Sequence, residues 1–233
     1  MANFPVRVCA IGLLLIVLVA CSQRSAVQVE RGASGIEHEV FEQLPAFQGL
    51  TDEQIIERAD RQREASDNRI GIAFQRLTLA EAREKLSNLW LPTYLPRQFD
   101  ERHTVVALPS DDALQATHEL GRNPPIITYI GRNGEMLMVT VAQPKPDLVV
   151  PVGAGGARDV RLDEHTTGLI VQGLWHISIS QDRTRVTQRW DSEGPKRALL
   201  QRGQWLYDVE ISPGDALTDQ ELLKIAASIS LNR

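Results

Sequence analysis

From about residue 104 to residue 211 the chain runs through one period-two segment after another with no helical stretch between them, and few folds accept that pattern. Ile126 to Ile130 and Glu135 to Ala142 flank Gly131-Arg132-Asn133-Gly134, in which Asn133-Gly134 is the signature of a two-residue hairpin turn. Trp175, Ile177 and Ile179 alternate with His176, Ser178 and Ser180. Likewise Trp205, Tyr207, Val209 and Ile211 alternate with Gln204, Leu206, Asp208 and Glu210. Weaker alternation marks 104–108, 158–162, 168–172, 184–190 and 196–202. Strands that follow one another without intervening helices pair antiparallel, and alternation of apolar with polar residues gives their sheet one buried face. Residues 143–157, rich in proline and carrying Gly153-Ala154-Gly155-Gly156, read as a long loop within the series.

Helices bracket these strands. Thr51 with Gln54, Thr78 with Glu81 and Thr218 with Glu221 each have capping-box spacing. The first leads into a highly charged helix to about residue 66 with a narrow apolar stripe. After the second, Leu79, Ala82, Leu86 and Leu89 recur on one helical face, and the helix stops before Leu91-Pro92 and Leu95-Pro96. Each proline holds the residue before it extended, so this stretch is a stiff connector with Trp90 and Tyr94 packed on the sheet. After the third, Leu222, Ile225, Ala226 and Ile229 share a face. The expected fold is α+β: an antiparallel β-sheet with an N-terminal and a C-terminal helix packed on one face, preceded by a flexible tether.

The N-terminus constrains location. One cation, Arg7, precedes an unbroken apolar run, Val8 to Val19, which ends at Ala20-Cys21 and the polar Ser22-Gln23-Arg24. That is the layout of an export signal, and a dozen apolar residues fall short of the roughly 20 a spanning helix needs. Leu18-Val19-Ala20-Cys21 resembles a lipobox, the pattern of bacterial lipoproteins. The resemblance implies cleavage before Cys21 and diacylglycerol on its sulfur, a membrane anchor on the non-cytoplasmic face of a bacterial membrane. Cys9 falls in the removed segment, so the mature chain closes no internal disulfide. The divisions expected are a signal peptide (1–20), a lipidated cysteine and tether (21–50), a charged helix and connector (51–76) and an α+β envelope domain (77–233).

Three segments in order, the helix at 78–89 running into Leu91-Pro92-Thr93-Tyr94-Leu95-Pro96, the late strands around Trp190 and 205–211, and the final 217–229, resemble the bacterial domain family of unknown function numbered 4367, found in exported lipoproteins and envelope regulators. Arg97-Gln98 departs from that family, which often has glycine after the second Leu-Pro. The resemblance covers about 77–230. It implies an envelope domain that binds or senses an envelope protein, lipid or wall polymer, and it supplies no catalytic residues.

A search for chemistry points the same way. Formal charge is -5 over 233 residues, an acidic balance that gives nucleic acid nothing to bind. His38, His103, His118, His165 and His176 lack metal-ligand spacing, and no cofactor fingerprint, nucleophile elbow or convergent carboxylate pair is present. Asp111-Asp112 and Asp163-Glu164 read as turn neighbours. No catalytic, cofactor or metal residue is assigned; an envelope hydrolase acting on lipid or glycan, its carboxylates assembled only by the fold, is the alternative. One feature stands out. A strand at 183–190 puts Arg183, Arg185 and Arg189 on one face, a cationic stripe able to hold a carboxylate or phosphate, with Lys196, Arg197 and Arg202 nearby. The competing reading is a solvated face balanced by Asp182, Asp191 and Glu193.

Overall fold

A computed structural model describes residues 29–70, 74–86, 89–109, 124–144 and 148–232. Cys21, the apolar run before it, Asp111-Asp112 and His118 lie outside the described residues.

The sheet is built from β3 (Phe74–Thr78), β5 (Thr104–Pro109), β6 (Ile126–Ile130), β7 (Met136–Ala142), β9 (Ala157–Arg161), β10 (Thr167–Ile179), β11 (Val186–Arg202) and β12 (Trp205–Ser212). Their spatial order is β3-β5-β6-β7-β12-β11-β10-β9, with every neighbouring pair antiparallel. Two meanders therefore join where β12 returns to lie against β7. The β6–β7 turn is not the two-residue form. Gly131 N–H donates to the Glu135 carbonyl (2.7 Å), Gly134 N–H donates to the Gly131 carbonyl (3.1 Å), and only Gly134 takes a positive φ, of 88°. That is a three-residue turn closed by a glycine bulge.

One face of the sheet carries the larger core. Val106, Ile127, Tyr129, Leu137, Val139, Tyr207, Val209, Ile211, Ala198 and Ile170 point into it. Leu79 and Ala82 of α2 (Leu79–Lys85) and Leu222, Leu223, Ile225 and Ala226 of α3 (Asp219–Ser228) close it from the other side. Capping boxes start both helices: Thr78 Oγ1 accepts from Glu81 N–H and Thr218 Oγ1 from Glu221 N–H, while each glutamate reaches back to the threonine N–H at 2.8 and 2.9 Å. The helix expected to reach Leu89 is shorter. Leu86 is its C-cap, and Leu89 belongs to β4 (Leu89–Pro92), which pairs antiparallel with β13 (Ile229–Asn232). Helical spacing let Leu89 pass as a fourth stripe residue, but pairing with residues some 140 positions away wins it for a strand. Trp90 stacks from this ribbon onto the sheet, with ring centres 5.6 Å from Trp205 and 5.8 Å from Tyr207.

The second face is covered only at one end. A small sheet of β1 (Val29–Arg31), β2 (Glu37–Val40) and β8 (Val149–Val152) packs Ile36, Val150 and Val152 against Leu169, Val171 and Leu199. This corrects two expectations. The flexible tether expected over 21–50 is ordered structure from Val29 onward, because β2 pairs parallel with β8 and buries Ile36 and, further on, Phe47. The loop at 143–157 contains β8. β2 carries one apolar residue, Val40, and Val149, Val150 and Val152 of β8 lie among prolines and glycines, so each strand is marked by its long-range partner rather than by local pattern.

α1 (Asp52–Ile70) begins with Thr51 N–H donating to Gln54 Oε1 (2.9 Å) and buries Ile55 and Ile56. Its Arg58 donates to the Ala46 carbonyl (2.8 Å), and its Asp52 accepts from Val186 N–H (3.2 Å), tying the helix to the distal end of the β10–β11 hairpin.

Candidate functional site

Beyond the sheet proper, β10 and β11 continue as a two-stranded ribbon. β9 pairs only with 167–171 and β12 only with 196–202, so 174–179 and 186–191 have no partners but each other. The ribbon begins where the register slips: Gln172 faces Lys196, Leu174 faces Asp191, and Gly173 alone stands opposite Ser192 to Pro195. Gly153 and Gly156 leave room there for the Trp190 indole, since a Cβ on either would fall within 2.7 Å of its ring. The glycines of the expected loop are thus a seat for tryptophan. Trp190 meets its cross-strand partner Trp175 edge-on, ring centres 5.6 Å apart.

An isolated two-stranded ribbon is marginal in water, and this one is supported on one side only. On that side Leu44 N–H donates to Gln188 Oε1 (3.0 Å), Val186 N–H donates to Asp52 of α1, and Trp190 packs on Gly153, Gly156 and the small sheet. Cover is incomplete: Ile177, expected on a buried face, is 37% exposed. The opposite side of the ribbon carries His176 and Ser178 on β10, Thr187, Arg189 and Asp191 on β11, and Arg185 just ahead of it. All but Asp191 are exposed.

The three arginines separate here. Arg183 is not on a strand; it sits in the hairpin turn at φ 57°, and its guanidinium pairs with Asp60 of α1. The turn organises itself around Asp182, whose carboxylate accepts from Ser180 Oγ (2.5 Å) and Thr184 Oγ1 (2.8 Å) and is held below the usual carboxylate range by those bonds. Arg185 and Arg189 remain together on the bare side, and neither makes an ion pair with another described residue. Four strand residues put their Cα atoms about 13 Å apart. His176 lies directly across from Arg189 and approaches Asp191, Nε2 to Oδ2 3.2 Å.

The other cations of the region have structural work. Lys196 bonds the Leu217 carbonyl (2.9 Å) and, with Arg158, the Asp219 carboxylate at the start of α3. Arg202 donates to the Ala227 carbonyl at 2.6 Å. Arg197 grips Asp208 with two nitrogens, Nε at 3.2 Å, and approaches Glu210 at 3.7 Å. Burial pushes the Glu210 carboxyl up to about 7, against the attraction of Arg197, and the Asp208 charge adds to the rise. Sequence reasoning missed this cluster because alternation marks Asp208 and Glu210 as solvent-side residues. Register is what sets Arg197 directly opposite Glu210.

Among the described residues no group of three or more His, Cys, Asp or Glu side chains is placed to hold a metal ion, and no helix is long and apolar enough to cross a membrane. The chain matches no family model, no curated protein and no solved structure.

Proposed function

We propose that this chain is a lipid-anchored protein of the bacterial envelope whose domain binds an extended polyanion along the bare side of the β10–β11 ribbon. One observation carries the reading: Arg185 and Arg189 stand exposed on one side, without ion pairs among the described residues, beside His176. Guanidinium groups on residues about 13 Å apart can each be engaged by a polymer or surface with repeated negative charge, whereas one small anion holds both only if the two long side chains bend together and give up their freedom. The lipobox-like Leu18-Val19-Ala20-Cys21 supports the anchor, and the resemblance to family 4367 supports an envelope binding or sensing role.

Two measurements test it. Cells fed radiolabelled fatty acid are expected to label the native chain and not Cys21→Ser; label on the serine variant removes the anchor. Poly-L-glutamate is expected to bind the full chain at low ionic strength and release it in 0.5 M salt, since exposed charges are screened over a few ångströms there. Arg185→Glu with Arg189→Glu should weaken that binding at least tenfold. An affinity that survives the double reversal refutes the ribbon as the site.

A further inference from the structure

The ribbon and Val29, the first described residue, lie at the same end of the molecule. Val29 stands opposite Glu39, which in turn stands opposite Pro151, so β1, β2 and β8 share that row of the small sheet. Two residues beyond Pro151, Gly153 backs onto the Trp190 indole at the root of the ribbon. Two strand spacings, two residues along β8 and the step between packed sheets put Val29 within about 20 Å of Trp190. Just past that row Phe41 N–H donates to the Val152 carbonyl (2.9 Å), and Leu44 reaches Gln188. The other end of the small sheet, the turn at 32–35, is pinned instead to β9, where Ala33 N–H donates to Asp159 Oδ2 (2.5 Å). Seven residues separate Val29 from Cys21, so a lipid on that cysteine is held at the ribbon end.

We propose that the anionic partner of the ribbon is the bilayer that carries the anchor, a reading that rests on the lipid anchor and the anion-binding ribbon proposed above. The ribbon lies in the headgroup layer with Arg185 and Arg189 on phospholipid phosphates. Val29 leaves from the small sheet on the Trp190 side of the ribbon and the arginines project from the other, so the end of the molecule, rather than either side, turns to the membrane. Val40 (39%) and Ile177 (37%), two exposed large apolar side chains, belong to this end, and a lipid interface covers them where a hydrated polymer does not.

Charge favours the same pose. The rows of the ribbon from Arg185 to Arg189 hold no carboxylate. Asp191 lies at the root, partly buried and engaged by His176, and Asp182 in the turn is occupied by Ser180 and Thr184. The chain as a whole is acidic, at -5, and the same surface repels the rest of it. One cation near an anionic bilayer favours contact about fivefold, and two about thirtyfold. That is too little to recruit a free protein, and enough to orient one already moored at high local concentration.

Contact quenching reads the orientation. Gln181 in the ribbon turn and Gln204 in the β11–β12 turn are both exposed and about 50 Å apart along the strands. In the lipidated chain Cys9 is gone with the signal and Cys21 is blocked, so Gln181→Cys or Gln204→Cys offers one thiol to a fluorophore. Each labelled chain is reconstituted into vesicles of phosphatidylcholine, or of phosphatidylcholine and phosphatidylglycerol in equal parts, with a trace of lipid carrying a nitroxide on its headgroup. With phosphatidylglycerol present, the label at 181 is expected to be quenched about fivefold or more beyond the label at 204, and adding Arg185→Glu with Arg189→Glu should abolish the difference. Both arginines are exposed, and an unchanged melting temperature verifies that the reversals leave the fold intact. Equal quenching at the two positions, or quenching at 181 that is indifferent to phosphatidylglycerol or to the double reversal, overturns the proposal. The readings beneath it fail separately: a chain without the anchor takes up no fatty acid, and a ribbon without an anion site leaves poly-L-glutamate unbound. Fatty acid taken up and poly-L-glutamate bound, with 181 unquenched, would assign the ribbon to a free polymer instead.

Discussion

Replacing Gly173 with alanine is expected to lower the free energy of unfolding by about 3 kcal/mol or more, the size of a backbone clash compounded by a strained φ. Gly173 has φ 107°, and a Cβ there would lie 2.3 Å from the Asp191 carbonyl oxygen and 2.9 Å from the Trp190 ring. A carbonyl in the facing strand cannot step aside without undoing the slip that starts the ribbon. Gly203→Ala is the control: its φ is 58°, with nothing within 4 Å of the added atom, so it pays only the left-handed penalty of about 1 kcal/mol. Urea unfolding of the two variants separates steric from conformational cost, and equal losses would show that the facing carbonyl gives way.

Glu210→Gln is expected to stabilise the protein in a pH-dependent manner. Its carboxyl titrates near 7 in the folded chain against 4.5 for a solvated glutamate. Between those values the folded state keeps a proton that the unfolded state has released, so this group's contribution to stability falls as pH rises through the window. The loss is complete above about pH 7, where it amounts to roughly 3 kcal/mol at 1.36 kcal/mol per unit. Glutamine carries no such charge. The variant should match the parent near pH 4 and exceed it by up to about 3 kcal/mol at pH 8, read from denaturant midpoints at each pH. Asp182, Glu81 and Glu221, held below their usual range by hydrogen bonds, act in the opposite sense. They do so in both proteins and cancel in the difference. A stability gap that stays constant from pH 4 to pH 8 would place the Glu210 carboxylate in solvent.

What could be read from the sequence was whatever is decided within a few residues. The capping threonines at 51, 78 and 218 start helices as their spacing predicts, because cap bonds close over three residues. The strands at 126–130, 136–142 and 205–212 follow alternation, because the pleat alone sorts their side chains. Segments fixed by distant partners were not legible. β2 has four residues and no run of apolar side chains; its place is set by β8, more than 100 positions away. At the candidate site, two of the three arginines stayed together. Arg183 left the stripe because the turn demanded a left-handed residue, a demand that neither periodicity nor composition expresses. The Arg197–Asp208–Glu210 cluster was not legible for a related reason: register sets Arg197 of β11 opposite the two carboxylates of β12.

The early start of order has a bearing on how the molecule could sit at a membrane. β1 is in place from Val29, so only eight peptide steps separate it from Cys21. Even pulled straight, that length is at most about 29 Å, less than the thickness of a single small domain. A lipid on Cys21 would act as a mooring line too short for the body to drift or turn over freely, and whatever the ribbon meets would have to come within arm's length of the bilayer.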